Sequence, residues 1–74
     1  MKALFYGPLA DLLGPEMDLE SRSADEIREE IARAHPAAVK TLNRSKIFAS
    51  GEMVRDNQPL LVDTVEFLPP VSGG

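Results

Sequence analysis

The sequence contains no cysteine. Disulfides, thiolate metal sites and a cysteine nucleophile are excluded, and a small fold without such staples must stand on its core alone, which points to the cytoplasm. Basic residues are in the minority, with eight Lys and Arg against twelve Asp and Glu for a formal net charge of −4. A nucleic-acid binder needs a basic surface to displace counterions from phosphates, so no nucleic-acid partner is expected. No apolar run approaches the roughly 20 residues of a membrane span, and Met1-Lys2-Ala3-Leu4-Phe5-Tyr6 lacks the length and cleavage site of a secretory signal. No membrane partner is expected either. A glycine-rich phosphate cradle is missing, so this chain should not bind a nucleotide by itself. Repeats and low-complexity stretches are also missing.

What is present is compact. With 74 residues there is room for one domain, and at this size only about 60% of the unfolded chain's surface is buried on folding. A shielded catalytic cleft is hard to build from so little, so a carrier, adaptor or inhibitor fits better than a self-sufficient enzyme. Hydrophobic residues make up 43% of the chain, enough for a core and too many for global disorder.

Ala3–Tyr6 is a short apolar and aromatic run closed by Gly7-Pro8, which reads as a first strand. Leu9, Leu12 and Leu13 follow at helical spacing before Gly14-Pro15, predicting a single helical turn. Glu16–Leu19 alternates and predicts a second strand beside the first. The best-marked helix starts after Ser23, where Ser23-Ala24-Asp25-Glu26 has the form of a capping box and the acids suit the positive end of the helix dipole. Ala24, Ile27, Ile31 and Ala34 fall on its core face, with Arg28, Glu29, Glu30 and Arg33 toward water. Pro36 stops or restarts this helix, and Val39 and Leu42 suggest a further short helical stretch. Ile47-Phe48-Ala49, a Ser50-Gly51 turn and Met53-Val54 read as a hairpin. Asp56-Asn57-Gln58-Pro59 is loop chemistry, Leu60–Asp63 is ambiguous, and Thr64–Leu68 is the last strand.

This order predicts an α+β fold of the β-grasp (ubiquitin-like) kind: a mixed sheet of four to five strands on one main helix, with the terminal strands parallel neighbours. Element order alone leaves a ferredoxin-like arrangement open. Residues 1–68 form the domain, and residues 69–74 an extended tail.

That tail reads Pro69-Pro70-Val71-Ser72-Gly73-Gly74. Two prolines cannot donate ladder hydrogen bonds, so the sheet ends there, and they favour a semi-rigid extended stalk. The side chains from Leu68 onward carry no charge, and Gly73 and Gly74 let another protein's backbone close around them. Such a tail suits presentation of the Gly74 carboxylate to a partner's active site. A carboxylate is a poor acyl donor. Adenylation by ATP supplies a leaving group, after which the carbonyl can accept sulfur, an amine or a thiol.

The stretch Val65-Glu66-Phe67-Leu68-Pro69-Pro70-Val71-Ser72-Gly73-Gly74 resembles the ending of MoaD-type sulfur carriers of the MoaD/ThiS family, the small subunits of molybdopterin synthase. The likeness covers the whole chain in length and element order, and includes Lys2-Ala3-Leu4-Phe5-Tyr6, Asp11-Leu12-Leu13-Gly14 and Gly51-Glu52-Met53-Val54. Thiamine-pathway carriers share the fold and the Gly-Gly end but usually lack Pro-Pro. One departure is Leu61-Val62-Asp63-Thr64, where the family often has Asp-Gly-Asp-Glu. The resemblance implies that an E1-like adenylating enzyme uses ATP to activate Gly74, that a persulfide sulfur donor converts it to a thiocarboxylate, and that a large MoaE-type synthase subunit takes the sulfur for the dithiolene of molybdopterin. Alternatives are a protein modifier conjugated through Gly74, a carrier for another pathway such as thiamine, and a noncovalent ubiquitin-like module with an inert tail.

Alternation along the terminal strands puts Ala3, Phe5, Val65 and Phe67 in the core and Lys2, Leu4, Tyr6, Glu66 and Leu68 outside. Leu4, Tyr6 and Leu68 then cluster at the root of the tail as a candidate partner-binding patch, continued by Pro69, Pro70, Val71 and Ser72. His35, before Pro36, is assigned a capping or surface role. Asp18, Glu20, Asp25 and Glu26 belong to solvated faces and caps, so no bound metal is expected.

Overall fold

Strands β1 (Lys2–Phe5), β2 (Glu16–Asp18), β3 (Lys46–Ala49), β4 (Glu52–Met53) and β5 (Thr64–Leu68) form one mixed sheet in the order β2-β1-β5-β3-β4. The computed structural model describes residues 1–55 and 57–69. β1 and β5 run parallel with Phe5 opposite Phe67, while β3 flanks β5 on its other side in antiparallel register. The last strand thus occupies the middle of the sheet. This is the expected β-grasp order.

Helices α1 (Gly7–Leu13), α2 (Ala24–Ala34) and α3 (Val39–Arg44), with a 3-10 turn at Pro36–Ala38, cover one face. Their buried residues Leu9, Ala24, Ile27, Ile31, Ala38 and Leu42 share a core with Ala3, Phe5, Ile47, Val65 and Phe67 from the strands. The Phe5 and Phe67 rings meet at 5.4 Å between centroids, tilted by 54°. Such a pair adds about 0.5–1.5 kcal/mol to its area burial. It also welds the two terminal strands together on the inner face.

Local chemistry accounts for most boundaries. Pro8 sits in the first turn of α1, where its missing N–H costs nothing. α1 runs two turns rather than the single turn expected from Leu9, Leu12 and Leu13. The Ser50-Gly51 turn has φ of 52° and 82°, the double positive φ of a tight two-residue hairpin, and joins Ala49 to its partner Glu52. The ambiguous Leu60–Asp63 segment resolves into two parts. Leu60 is buried in the core and donates its N–H to Arg22 O, while Val62 and Asp63 bend the chain into β5, where Asp63 O accepts the Lys2 N–H. Leu61, between them, points to solvent.

Three expectations around the helices are corrected, and the capping role expected of His35 is met. Tyr6 lies outside β1, as the residue that precedes α1. Ala34, expected on the core face of α2, is exposed because the helix ends there at His35. Ser23 occupies the N-cap position, but its hydroxyl makes no bond to a backbone amide and instead donates to Asp25 Oδ1 and Glu26 Oε1. Two carboxylates compete for the hydroxyl, and Asp25 Oδ1 also takes the Glu26 N–H. His35 caps α2 by backbone alone, its N–H donating to Ile31 O.

The largest departure is Arg28, expected to face water. It is half-buried, and its guanidinium donates to Leu42 O at 2.6 Å and Ser45 O at 2.7 Å while standing 6.0 Å from the Phe67 ring centroid. The two carbonyls terminate α3, where helix ends leave acceptors without intrahelical donors. One planar fork therefore clamps α2, the end of α3 and the start of β3 over the central strand. Glu30, two residues further along α2, accepts the Glu20 and Ser21 amides and fixes the chain entering the helix.

Arg28→Lys keeps the charge but loses the two-pronged geometry. It should lower the unfolding free energy by about 1–3 kcal/mol. Arg33→Lys, at an exposed position of the same helix, should change it by less than about 0.5 kcal/mol. Urea denaturation of the two variants checks this contrast.

Candidate functional site at the root of the tail

β5 ends at Leu68, and Pro69 is the last residue described. Pro70, Val71, Ser72, Gly73 and Gly74 lie outside the described residues. The candidate site is therefore built from what surrounds Leu68 and Pro69.

Every second residue of β5 faces away from the helices: Thr64, Glu66 and Leu68. Register extends Glu66 into a row that crosses the whole sheet, Glu16–Leu4–Glu66–Phe48–Met53. Nearer the tail, Leu68 pairs with Lys46 of β3, and Tyr6 lies just beyond β1 on the other side. The expected outward residues Leu4, Tyr6 and Leu68 are thus brought together: Leu4 and Leu68 are half-buried and Tyr6 is 40% exposed. Phe48, half-buried, and Met53, 60% exposed, widen this patch and were not assigned to it from the sequence. In Ile47-Phe48-Ala49 every residue is apolar, so no polar alternation marked which of them points outward. Only the pairing of Phe48 with Glu66 settles it.

The patch is apolar with a charged centre and margin. Glu66 sits in its middle, and the Tyr6 hydroxyl donates to Glu66 Oε2 at 2.7 Å. On the margin, Lys2 and Glu16 form an ion pair at 3.2 Å, the sort of exposed contact that adds little stability. A shallow groove lined by Leu4, Phe48, Ser50, Val62 and Glu66 crosses this face. Glu66 is therefore held by Tyr6, the residue between β1 and α1, and the apolar groups beside it lie in the register of the sheet.

The bond also perturbs Tyr6. Hydrogen bonding to Glu66, then desolvation and the Glu66 charge, raise the phenol above its ordinary pKa. The protonated phenol is the form that the folded state favours. Its contribution to stability is full below the unfolded phenol value of about 10 and is lost as pH rises through the higher folded value.

On the other side of the tail root, Gly7 has φ of 62°, and a Cβ built there would lie 3.2 Å from Pro69 Cγ. Pro69 thus rests on a position that carries no side chain. Among the described residues there is no cluster of His, Cys, Asp and Glu suited to a metal ion, and no helix long and apolar enough to cross a membrane. Outward Leu4, Tyr6, Phe48 and Leu68 thus lie on the sheet face from which the chain continues into Pro69.

Because the chain has one tyrosine, tyrosinate absorbance reports Tyr6 alone. Its titration midpoint should lie above the ordinary phenol value of about 10 and return to it in Glu66→Ala. A midpoint unmoved by the substitution would show that the bond is not formed in solution.

No family model matches the chain, and no curated protein matches it. Among solved structures, the crystal structure of SAMP1 from Haloferax volcanii matches with a TM-score of 0.72 over 99% of this chain and 97% of that one, at 20% sequence identity. At that identity the likeness is one of fold, and it places the chain with ubiquitin-like β-grasp structures.

Proposed function

We propose that this chain is a ubiquitin-like sulfur carrier for molybdopterin biosynthesis, whose Gly74 is adenylated and converted to a thiocarboxylate. The observation that carries the reading is the junction of β5 with the Pro69-Pro70-Val71-Ser72-Gly73-Gly74 sequence. A strand paired on both sides and anchored by buried Val65 and Phe67 runs straight into a proline pair and two terminal glycines. The ubiquitin-like fold supports the general reading of a protein that works through its tail. The Pro-Pro-Val-Ser-Gly-Gly ending supports the narrower one.

The chemistry is divided between proteins. The Gly74 carboxylate attacks the α-phosphorus of ATP held by an E1-like enzyme, and pyrophosphate leaves. The terminal sulfur of a persulfide donor then attacks the acyl carbon, and AMP leaves. A second donor thiol cleaves the resulting S–S bond, which frees the thiocarboxylate and oxidises the donor to a disulfide. Gly74 has no substituent beside its carbonyl, so the persulfide sulfur approaches the acyl carbon without steric hindrance. The larger MoaE-type subunit supplies the acid–base groups that pass the sulfur to a pyranopterin.

Leu4, Tyr6, Phe48 and Leu68 form the face on which these partners dock, because they are apolar groups set around Glu66 on the outer face of the strand that leads into the tail. Glu66 at their centre gives the partners a charge to match, and charge matching favours specificity and association rate more than affinity.

Deletion of Gly74 should abolish ATP–pyrophosphate exchange by the E1-like enzyme of the same cell while leaving thermal unfolding unchanged. Exchange that survives the deletion, or is absent with the intact chain, removes activation at Gly74 and leaves a noncovalent module. Isopeptide conjugates to lysines of other proteins in the native cell would instead identify a modifier.

A further inference from the structure

The seat under Pro69 has a feature that turn geometry alone does not require. Gly7 adopts φ of 62°, a left-handed conformation that Asn and Asp also adopt at modest cost. What only glycine provides there is a missing Cβ. A Cβ would stand 3.2 Å from Pro69 Cγ and 3.6 Å from Pro69 Cβ. The first distance is too short for relaxed packing, so the proline would have to move by a few tenths of an ångström. Pro69 has a fixed φ near −65° and a closed ring, so its responses are a change of ring pucker, which moves Cγ, and a shift of its backbone. We take the backbone shift at the root of the tail as the response that matters, because the Cβ also lies 3.6 Å from Pro69 Cβ, which pucker leaves in place.

The other side of the seat is rigid. Phe5 is paired with Phe67 across the parallel ladder, and the neighbouring Tyr6 is bonded to Glu66. The Tyr6-Gly7 corner is therefore fixed to β5, the strand whose continuation it supports.

We propose that Gly7 is a positioning residue: its bare Cα is the seat that sets the angle at which the chain leaves the sheet after Pro69. Its consequence for activity rests on the sulfur-carrier reading, since it is there that the aim of Gly74 matters. Misplacement of a reacting group by about 1 Å can cost on the order of 100-fold in rate.

A double-mutant cycle tests this on the full chain. Gly7→Asn keeps a tolerated φ but adds the Cβ. Gly7→Ala adds the Cβ with backbone strain, and Pro69→Ala removes the ring atom that the Cβ would meet. In NMR spectra the wild type should show nuclear Overhauser contacts between Gly7 Hα and the Pro69 ring, and Gly7→Asn should shift the Leu68 and Pro69 resonances. Pyrophosphate exchange by the E1-like enzyme should fall by about 10- to 100-fold in Gly7→Asn, in kcat rather than KM, with Tm nearly unchanged. Gly7→Ala should lose as much exchange and also about 4–8 °C of Tm. Measured against Pro69→Ala alone, Gly7→Ala/Pro69→Ala should lose less than about threefold in exchange, yet keep the Tm loss.

Exchange that tracks Tm across the variants, or an undiminished loss in the Pro69→Ala background, would overturn the proposal and make Gly7 an ordinary turn glycine. If the intact chain supports no exchange, the carrier reading fails. The NMR contacts and shifts then decide the seat on their own, and their absence overturns it.

Discussion

The parallel pairing of β1 with β5 is the constraint on which the rest of the structure depends. It puts the last strand in the centre of the sheet, between β1 and β3, with Val65 and Phe67 fully buried beneath the helices. A C-terminal strand at a sheet edge could fray, and frayed ends are common. One held by two ladders and two buried side chains cannot peel away without opening the core. The chain therefore reaches Pro69 from a fixed point and in a fixed direction.

The two faces of β5 divide the work. Inward, Phe67 meets Phe5 and lies under the Arg28 guanidinium, which also satisfies the carbonyls at the end of α3. Outward, Glu66 accepts from Tyr6 at the centre of an apolar row. The same five residues thus anchor the domain and order the surface beside the tail. In so small a protein, the core and the apolar outer row are two sides of one strand.

Much of this was legible in the sequence, because the strands alternate cleanly where it counts. Period alone places Ala3, Phe5, Val65 and Phe67 inward, and element order points to parallel terminal strands while leaving a ferredoxin-like arrangement open, which the β1–β5 ladder closes. What was not legible depends on partners distant in sequence. Arg28 sits on the polar side of α2 by helical spacing, and only the carbonyls of Leu42 and Ser45 draw it inward. Ser23 has the spacing of a capping box, but nothing in the spacing says that two carboxylates will take its hydroxyl. Phe48 lies in an unbroken apolar run, so its face follows from pairing with Glu66 rather than from pattern. Gly7 reads as the end of a strand. Its contact with Pro69, 62 residues later, appears only when the ladder closes.

The central claim is that the tail ends in sulfur. Intact-mass spectrometry of the chain purified from its native cell, with C-terminal fragmentation, tests it most directly. The account predicts a gain of roughly 16 Da, one sulfur in place of one oxygen, localised to Gly74. A terminal glycine found only as its carboxylate, under conditions where molybdopterin is being made, would contradict it.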